Sequence, residues 1–260
     1  MIESGAQLSG QRLEPDQAFA FACGPHLACF NTCCANKHLP LLPYDLLRLR
    51  RGLGLSSEAV LERYAGMDLD PVSGWPVLSL RLTGEGRCPL VTPQGCGAYA
   101  HRPAACRTYP LARAVKPGLG GQAGEEVFLR QEAPACLGWS EPRPITPVQW
   151  VEDQGLSPYQ AANDALLPLF FHPRRQGRLD LKPNQIHAVI LALYNLDQWR
   201  QFVARPGFAQ SQGLEPGAVA AALASDEALL NLGRDWLLVQ LFGPPAQGPG
   251  PIRERSPCVQ

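Results

Sequence analysis

The sequence predicts an α+β fold: a small, loop-rich cysteine domain, stapled by metal and containing short helices and strands, followed by a mainly α-helical half. Two observations predict this arrangement. Eight of the nine cysteines lie before residue 137, and helical patterns of apolar residues dominate after about residue 145. A hydrophobic fraction of 45 % is enough for a buried core, but a cysteine-rich segment with few long apolar elements needs metal to hold its loops together.

Changes in composition along the chain indicate four segments. Residues 1–20 are expected to form a flexible leader, and residues 21–139 a cysteine-cluster domain that binds metal. Residues 145–243 are expected to form the helical region, and the Pro- and Gly-rich residues 244–260 a disordered tail. The proline-rich residues 141–147 indicate the edge between the two main segments.

The first half contains patterns for two short helices and two strands. A leucine-rich stretch predicts a helix over 43–52, and a serine cap predicts a second helix over 57–64. Alternation of leucine with polar residues predicts a strand over 77–82, and residues 127–130 form a second candidate strand. The Gly-rich residues 114–124 are expected to form a surface loop.

The second half contains two clear helical patterns. One runs over 183–203 and is stopped by the Arg-Pro-Gly sequence at 205–207. The other follows Ser225, a residue type that caps helix N-termini, and runs over 226–242. We expect this helical half either to pack on the cysteine domain or to offer a surface to a protein partner.

Charge and hydropathy exclude several classes of partner. The formal net charge is zero and the sequence pI is about 6.9, which predicts no nucleic-acid partner. No basic start with an apolar core opens the chain, so we expect no signal peptide. The longest apolar run, 186–196, is about half the length of a spanning helix, which predicts a cytoplasmic protein without a membrane partner. The scarcity of Lys beside 26 Pro and 25 Gly is typical of a GC-rich bacterial genome.

The cysteines form two blocks and one outlier. The first block is Cys23-x5-Cys29-x3-Cys33-Cys34, the second contains Cys88, Cys96 and Cys106, and the outlier is Cys136. In a reducing compartment such clusters are more often metal sites than disulfides. Four thiolates make a closed zinc site or hold an iron–sulfur cluster, and the sequence does not distinguish the two. The predicted metal ligands are Cys23, Cys29, Cys33, Cys34, Cys88, Cys96, Cys106 and Cys136.

The number of thiols and the Cys33-Cys34 doublet bear on how many centres there are. Neighbouring side chains diverge, so Cys33 and Cys34 are poorly placed to hold one zinc together. Eight thiols also exceed the need of a mononuclear site, which leaves two sites or one multinuclear site as alternatives. Arg102, Arg107 and Arg113 lie near Cys106 in sequence and are expected to offset thiolate charge. The ninth cysteine, Cys258, is expected to be a free thiol.

The motifs resemble a known family. Cys-Pro-Leu at 88–90, Cys-x-x-Tyr at 96–99 and Arg-Pro-x-x-Cys-Arg-x-Tyr-Pro at 102–110 are similar to those of the YkgJ-type CxxCxxCC proteins, a family of zinc- or iron-chelating domains. The wider group includes FliB-type flagellin lysine methylases. The resemblance covers about residues 21–112, and the first block departs from it by its longer gaps. It implies metal chelation without naming a reaction.

The sequence therefore supports two main hypotheses about the function of this protein. The first is a metal-binding module with zinc or an iron–sulfur cluster as its cofactor. The alternative is a metal- or cluster-dependent protein-modifying enzyme such as a lysine N-methylase, and a third option is metal delivery or storage. The sequence alone leaves open whether the protein is an enzyme, because no carboxylate pair or nucleotide-binding motif stands out.

Overall fold

The computed structural model describes residues 10–118, 122–131, 133–175 and 177–244. Helices and short strands alternate through these residues, which confirms the α+β class. No helix in the described ranges is long and apolar enough to cross a membrane. Cys258 and nearly all of the predicted tail lie outside the described residues.

Short elements dominate the first half and helices dominate the second. The strands are β1 (Arg12–Leu13), β2 (Phe19–Ala20), β3 (Pro40–Leu41), β4 (Ala65–Leu69), β5 (Pro76–Leu80), β6 (Val91–Thr92), β7 (Gly95–Cys96), β8 (Leu111–Pro117), β9 (Ala123–Arg130) and β10 (Pro144–Ile145). The helices are α1 (Pro43–Leu53), α2 (Ser57–Tyr64), α3 (Ala104–Thr108), α4 (Pro147–Asp153), α5 (Ser157–Asp164), α6 (Leu167–Phe170), α7 (Pro183–Leu193), α8 (Leu196–Val203), α9 (Phe208–Ser211), α10 (Pro216–Leu223) and α11 (Asp226–Phe242).

Local signals place several of these helices as the sequence predicts. Helix α1 begins at a proline, whose fixed φ suits the first helical position, and ends at Gly54, which adopts the left-handed conformation with φ 64°. The Ser56 side chain accepts a hydrogen bond from the Ala59 amide at the start of α2. Ser225 accepts one from the Ala228 amide at the start of α11.

The single helix predicted over 183–203 is wrong, because the chain breaks it into α7 and α8. The break falls at Asn195, whose side chain accepts a hydrogen bond from the Gln198 amide and so caps α8. Apolar periodicity continues across the break, so periodicity alone does not reveal it. Trp199 and Val203 of α8 are nevertheless buried.

Residues 10–20, assigned by the sequence to a flexible leader, contribute two short strands. β1 pairs with β9, and β2 pairs with β10, both antiparallel. Leu13 and Phe19 are buried by this pairing. The partner strands lie more than a hundred residues away, so no local pattern announces the pairing. The proline-rich residues 141–147 likewise contain β10 and the start of α4.

The loop expected over 114–124 is partly wrong. β8 and β9 form an antiparallel hairpin, in which Val115 pairs with Glu126, so both arms extend into the Gly-rich stretch. Residues 119–121 lie outside the described part of the chain. The strand predicted over 77–82 is present as β5, the centre of a sheet of order β3-β5-β4.

Two hydrophobic clusters fill the interior. The main core joins side chains from both predicted segments, including Leu46, Leu49, Leu193, Trp199 and Leu229. The small core includes Phe21, Phe128, Trp150 and Leu156. Each cluster therefore draws on residues from both sides of the predicted boundary at 139–145. The division into a cysteine domain and a helical domain stays a prediction.

Candidate metal centre

Backbone hydrogen bonds bring the first cysteine block against the second. The Cys88 amide donates to the Cys34 carbonyl over 2.7 Å, and the Asn36 amide donates to the Gly86 carbonyl over 2.8 Å. Between these bonds Ala35 forms an isolated antiparallel bridge. Residues separated by fifty or more positions thus become neighbours, and the two predicted blocks lie side by side.

Four thiols form what we call the inner thiol group: Cys34, Cys88, Cys96 and Cys106. Electrostatic interactions connect its members. The thiol of Cys106 is affected by those of Cys88 and Cys96, and the thiol of Cys34 by those of Cys88 and Cys106. Cys88 is buried in the main core, and Cys34 and Cys96 pack against that core. The inner thiol group therefore lies at the edge of the largest apolar cluster.

A tight hairpin holds Cys88 and Cys96 together. Val91 of β6 pairs with Cys96 of β7, and the Val91 amide donates to the Cys88 carbonyl over 3.2 Å. The side chain of Thr92 closes the turn by donating to the Gly95 carbonyl over 2.9 Å. The spacing of these two cysteines in the sequence is the length that this hairpin needs.

Helix α3 carries Cys106, and Asp45 fixes its start. One carboxylate oxygen of Asp45 accepts a hydrogen bond from the Ala104 amide over 2.7 Å, and the other accepts one from the Leu42 amide over 2.8 Å. Burial raises the pKa of the Cys106 thiol to about 12, and the thiols of Cys88 and Cys96 add to this rise. A buried thiol of this kind becomes a thiolate readily only beside a cation.

The remaining four thiols form the outer thiol group: Cys23, Cys29, Cys33 and Cys136. Partial burial of its sulfur, followed by the thiols of Cys33, Cys136 and Cys29, raises the pKa of Cys23. The Leu137 amide donates to the Cys29 sulfur over 3.3 Å, which places Cys29 beside the Cys136 segment. Cys136 packs against the small core, while Cys23 and Cys33 are exposed.

The Cys33-Cys34 doublet joins the two groups. Cys33 is linked electrostatically to Cys23 of the outer group and to Cys88 of the inner group. A hydrogen bond from the Cys34 thiol lowers the pKa of Cys33 and raises that of Cys34. The surroundings of Cys33 thus favour its thiolate form. All eight predicted ligands are free thiols.

The chemistry of this donor set suits zinc or iron, because thiolates are the soft ligands that both zinc sites and iron–sulfur clusters use. In the part of the chain that the structure describes, no three His, Cys, Asp or Glu side chains already converge closely enough to hold a metal ion. The thiols are neighbours, and metal binding requires them to close further. The loop-borne outer thiol group has the freedom to do so.

The three arginines near Cys106 act differently from one another. The expectation that Arg113 offsets thiolate charge is wrong, because its guanidinium pairs with Glu126 and with both carboxylate oxygens of Asp164, each at 2.7 Å. Arg102 interacts favourably with the Cys106 thiol and lowers its pKa. Of these two residues, only Arg102 acts on the inner thiol group.

Arg107 also departs from the expected role and serves the backbone. Its guanidinium donates to the carbonyl groups of Arg102 over 3.0 Å, of Ala100 over 2.6 Å and of Gln154 over 2.6 Å. The first two carbonyls belong to the loop before α3, and the third follows α4. The buried arginine therefore ties the Cys106 motif to the helical half.

Sequence reasoning missed the residues that support this motif. The Trp150 indole N–H lies between the carbonyls of Arg107 and Thr108, at 3.2 and 3.1 Å, and holds the end of α3. Asp45 holds its start. A charged residue inside the leucine-rich stretch of α1 was the available signal for Asp45, since buried carboxylates need specific partners. No sequence signal connects Trp150 to α3.

Comparison with known families agrees with this arrangement. Residues 22–137 match the family model CxxCxxCC, whose description is "Putative zinc- or iron-chelating domain". This segment is therefore similar to the cysteine-cluster family that the motifs indicate. The CxxCxxCC domain contains all eight cysteines of the two thiol groups, and α4 to α11 lie beyond it. No curated protein and no solved structure matches the chain.

Proposed function

We propose that this protein binds zinc or iron through its eight clustered cysteines. The inner thiol group supplies four thiolates to one centre, and the outer thiol group supplies four thiolates to a second centre. The observation that carries the proposal is the grouping of the thiols around the doublet, in which Cys34 interacts electrostatically with Cys88 and Cys106, while Cys33 interacts with Cys23. Four thiolates satisfy one tetrahedral zinc or one cluster. The family description supports the chelating role.

Two features support metal as the element that completes the fold. The outer thiol group lies mainly on loops, and two of its cysteines, Cys23 and Cys33, are exposed. The pKa values of Cys34, Cys88 and Cys106 are all raised, which disfavours bare thiolates at neutral pH. A divalent cation would reverse that penalty, because it stabilises thiolates directly and draws the loops together.

Metal analysis of anaerobically purified protein tests the proposal. Zinc binding predicts about two ions per chain, since eight thiolates fill two four-coordinate sites. Iron–sulfur clusters predict a coloured protein with charge-transfer absorption from thiolate to iron. Protein that binds neither metal after purification and anaerobic reconstitution would refute the proposal.

A matched pair of variants tests the division into two centres. Cys106→Ser replaces a soft ligand by a poor one, so it is expected to lose one centre and keep the other. Cys258→Ser, the control, is expected to keep both. Co²⁺ titration measures this directly, because tetrathiolate cobalt absorbs visible light. Equal cobalt content in the two variants would contradict the assignment of Cys106.

The lysine N-methylase alternative, the metal delivery and storage option, the protein partner and the cytoplasmic location stay predictions. A methyl-donor binding assay on the metal-loaded chain tests the first of them. Saturable binding of the donor would move the proposal from a binding module to an enzyme.

A further inference from the structure

A cavity of about 150 Å³ lies behind α3, on the helical side of the cysteine-cluster domain. Its walls come from the start of α1, from Ala104 and Ala105 of α3, from β8, and from α5 and α6. Phe171, which is 47 % exposed, belongs to this wall, so the cavity reaches the surface there.

Two polar atoms of this wall are buried without a hydrogen-bond partner. They are Nε2 of Gln160 and Oδ1 of Asn163. Both side chains come from α5, as does Tyr159, which is 1 % exposed and whose hydroxyl interacts with the Arg107 guanidinium. A buried polar group without a partner destabilises the fold. Two such groups in one cavity indicate a molecule that bonds to them.

The nearby charged groups already have partners. Arg113 is paired with Asp164, and the two oxygens of Asp45 accept backbone amides. Arg107 stacks on the Tyr159 ring at 4.8 Å, and all three of its nitrogens donate to carbonyl groups. The cavity therefore offers hydrogen bonds to a ligand but no unpaired charge, which selects a neutral molecule.

The rest of the lining is apolar. Leu156, Leu166 and Phe170 face the same space, so a ligand there needs an apolar body as well as a polar edge. A dry cavity of about this volume accommodates a benzene-sized molecule. A ring with one amide edge meets both demands, since a carbonyl accepts from Gln160 and an N–H donates to Asn163.

We propose that this cavity is a binding site for a small neutral ring compound with an amide-like edge, held by Gln160 and Asn163. The site contains none of the proposed metal ligands, so metal analysis and ligand titration of the metal-loaded chain test the two proposals separately. Its position against α3 places a bound ligand beside the helix that carries Cys106.

Calorimetric titration of the full chain with 2-pyridone tests the site, with benzene and benzoate as probes of the same size. The expected result is saturable binding of 2-pyridone at one site per chain, with benzene and benzoate at least about tenfold weaker. No saturable binding of 2-pyridone would mean that water alone fills the cavity, and equal binding of benzene or benzoate would refute the polar edge or the neutral selection. Each of these outcomes overturns the proposal.

Variants locate the binding. Gln160→Met and Asn163→Leu remove one hydrogen-bonding group each and are expected to weaken 2-pyridone binding about tenfold or more, equivalent to about 1.4 kcal/mol. Gln210→Met, on an exposed residue of α9, is the matched control and should leave binding unchanged. Thermal unfolding of each variant checks the fold. Unchanged affinity in both cavity variants would overturn the proposal.

Discussion

The inner and outer thiol groups place the same side chain in opposite surroundings. Cys88 of the inner group is buried in the main core, whereas Cys23 and Cys33 of the outer group are exposed. The inner group is held by the supports around α3, while the outer group lies mainly on a loop. The difference teaches that clustering alone does not set the pKa or the reactivity of a thiol. The inner group packs with the core, whereas two thiols of the outer group are exposed to solvent.

Metal removal gives the largest expected effect on this comparison. Chelation should expose residues 21–38 and 86–111 to hydrogen exchange far more than residues 183–203 and 226–242, because the former depend on metal and the latter on apolar packing. Within the first set, the outer loop should open before the inner hairpin. Exchange measured by mass spectrometry on metal-loaded and chelated protein checks this. Uniform loss of protection would indicate one cooperative unit and overturn the two-part division.

Removing the Arg107 side chain should destabilise the loop and helix that hold Cys106 of the inner thiol group. Arg107→Met leaves three backbone carbonyls without their donor, and we expect the free energy of unfolding to fall by about 3–5 kcal/mol. The control is Arg143→Met, since Arg143 is 54 % exposed and pairs with Asp153 at 3.4 Å. Such exposed pairs contribute about 0–1 kcal/mol. Denaturant unfolding compares the two, and similar losses would show that Arg107 is no special support.

Asp45, which supports the inner thiol group through α3, makes the free energy of unfolding depend on pH. Burial raises its pKa from the ordinary 3.8 to about 6. Between those values the folded protein keeps a proton that the unfolded chain has lost, so the free energy of unfolding falls as pH rises from about 4 to 6. The full change is about 3 kcal/mol at most, at 1.36 kcal/mol per pKa unit.

The variant Asp45→Asn removes this titration, so comparing it with the native protein isolates the contribution of Asp45. The stability of the native protein relative to the variant should decline across pH 4–6 and stay constant above it, whereas thiol protonation is common to both proteins and cancels. Urea unfolding at several pH values measures the difference. A relative stability that rises with pH in this window would mean that the two amide hydrogen bonds outweigh burial.

Thiol reactivity gives the mildest test, because it follows single side chains rather than the whole fold. In protein freshly freed of metal, iodoacetamide should modify Cys33 at least about a hundredfold faster than Cys106, since only the thiolate reacts. Cys33 is exposed and its pKa is lowered, whereas the pKa of Cys106 is raised to about 12. Peptide mass spectrometry over time measures both rates. Equal rates would erase the distinction between the two groups.

The sequence predicted those parts of the fold that local chemistry decides. Ser225 caps α11 as expected, because a cap acts within one turn of the helix. Asn195 caps α8 in the same way, but the apolar pattern continues across it and conceals the break. The pairing of β1 with β9 could not be predicted, since two-residue strands depend on distant partners.

The candidate site likewise has a part that the sequence predicts and a part that it does not. The sequence predicted the cysteines as metal ligands and raised the possibility of two centres from the Cys33-Cys34 doublet. It assigned charge compensation to Arg107 and Arg113, whose actual partners lie in the helical half and in β9. Such contacts depend on how distant elements pack, and motif spacing contains no record of them.

The doublet has a consequence for the order of metal uptake. Cys33 and Cys34 share one rigid peptide unit, so fixing the second residue in one centre restricts the first residue before its own centre is filled. Part of the ordering entropy of the second binding event is then already lost. Under the proposed division, uptake should be cooperative and half-loaded chains should be scarce, even though the two centres share no ligand.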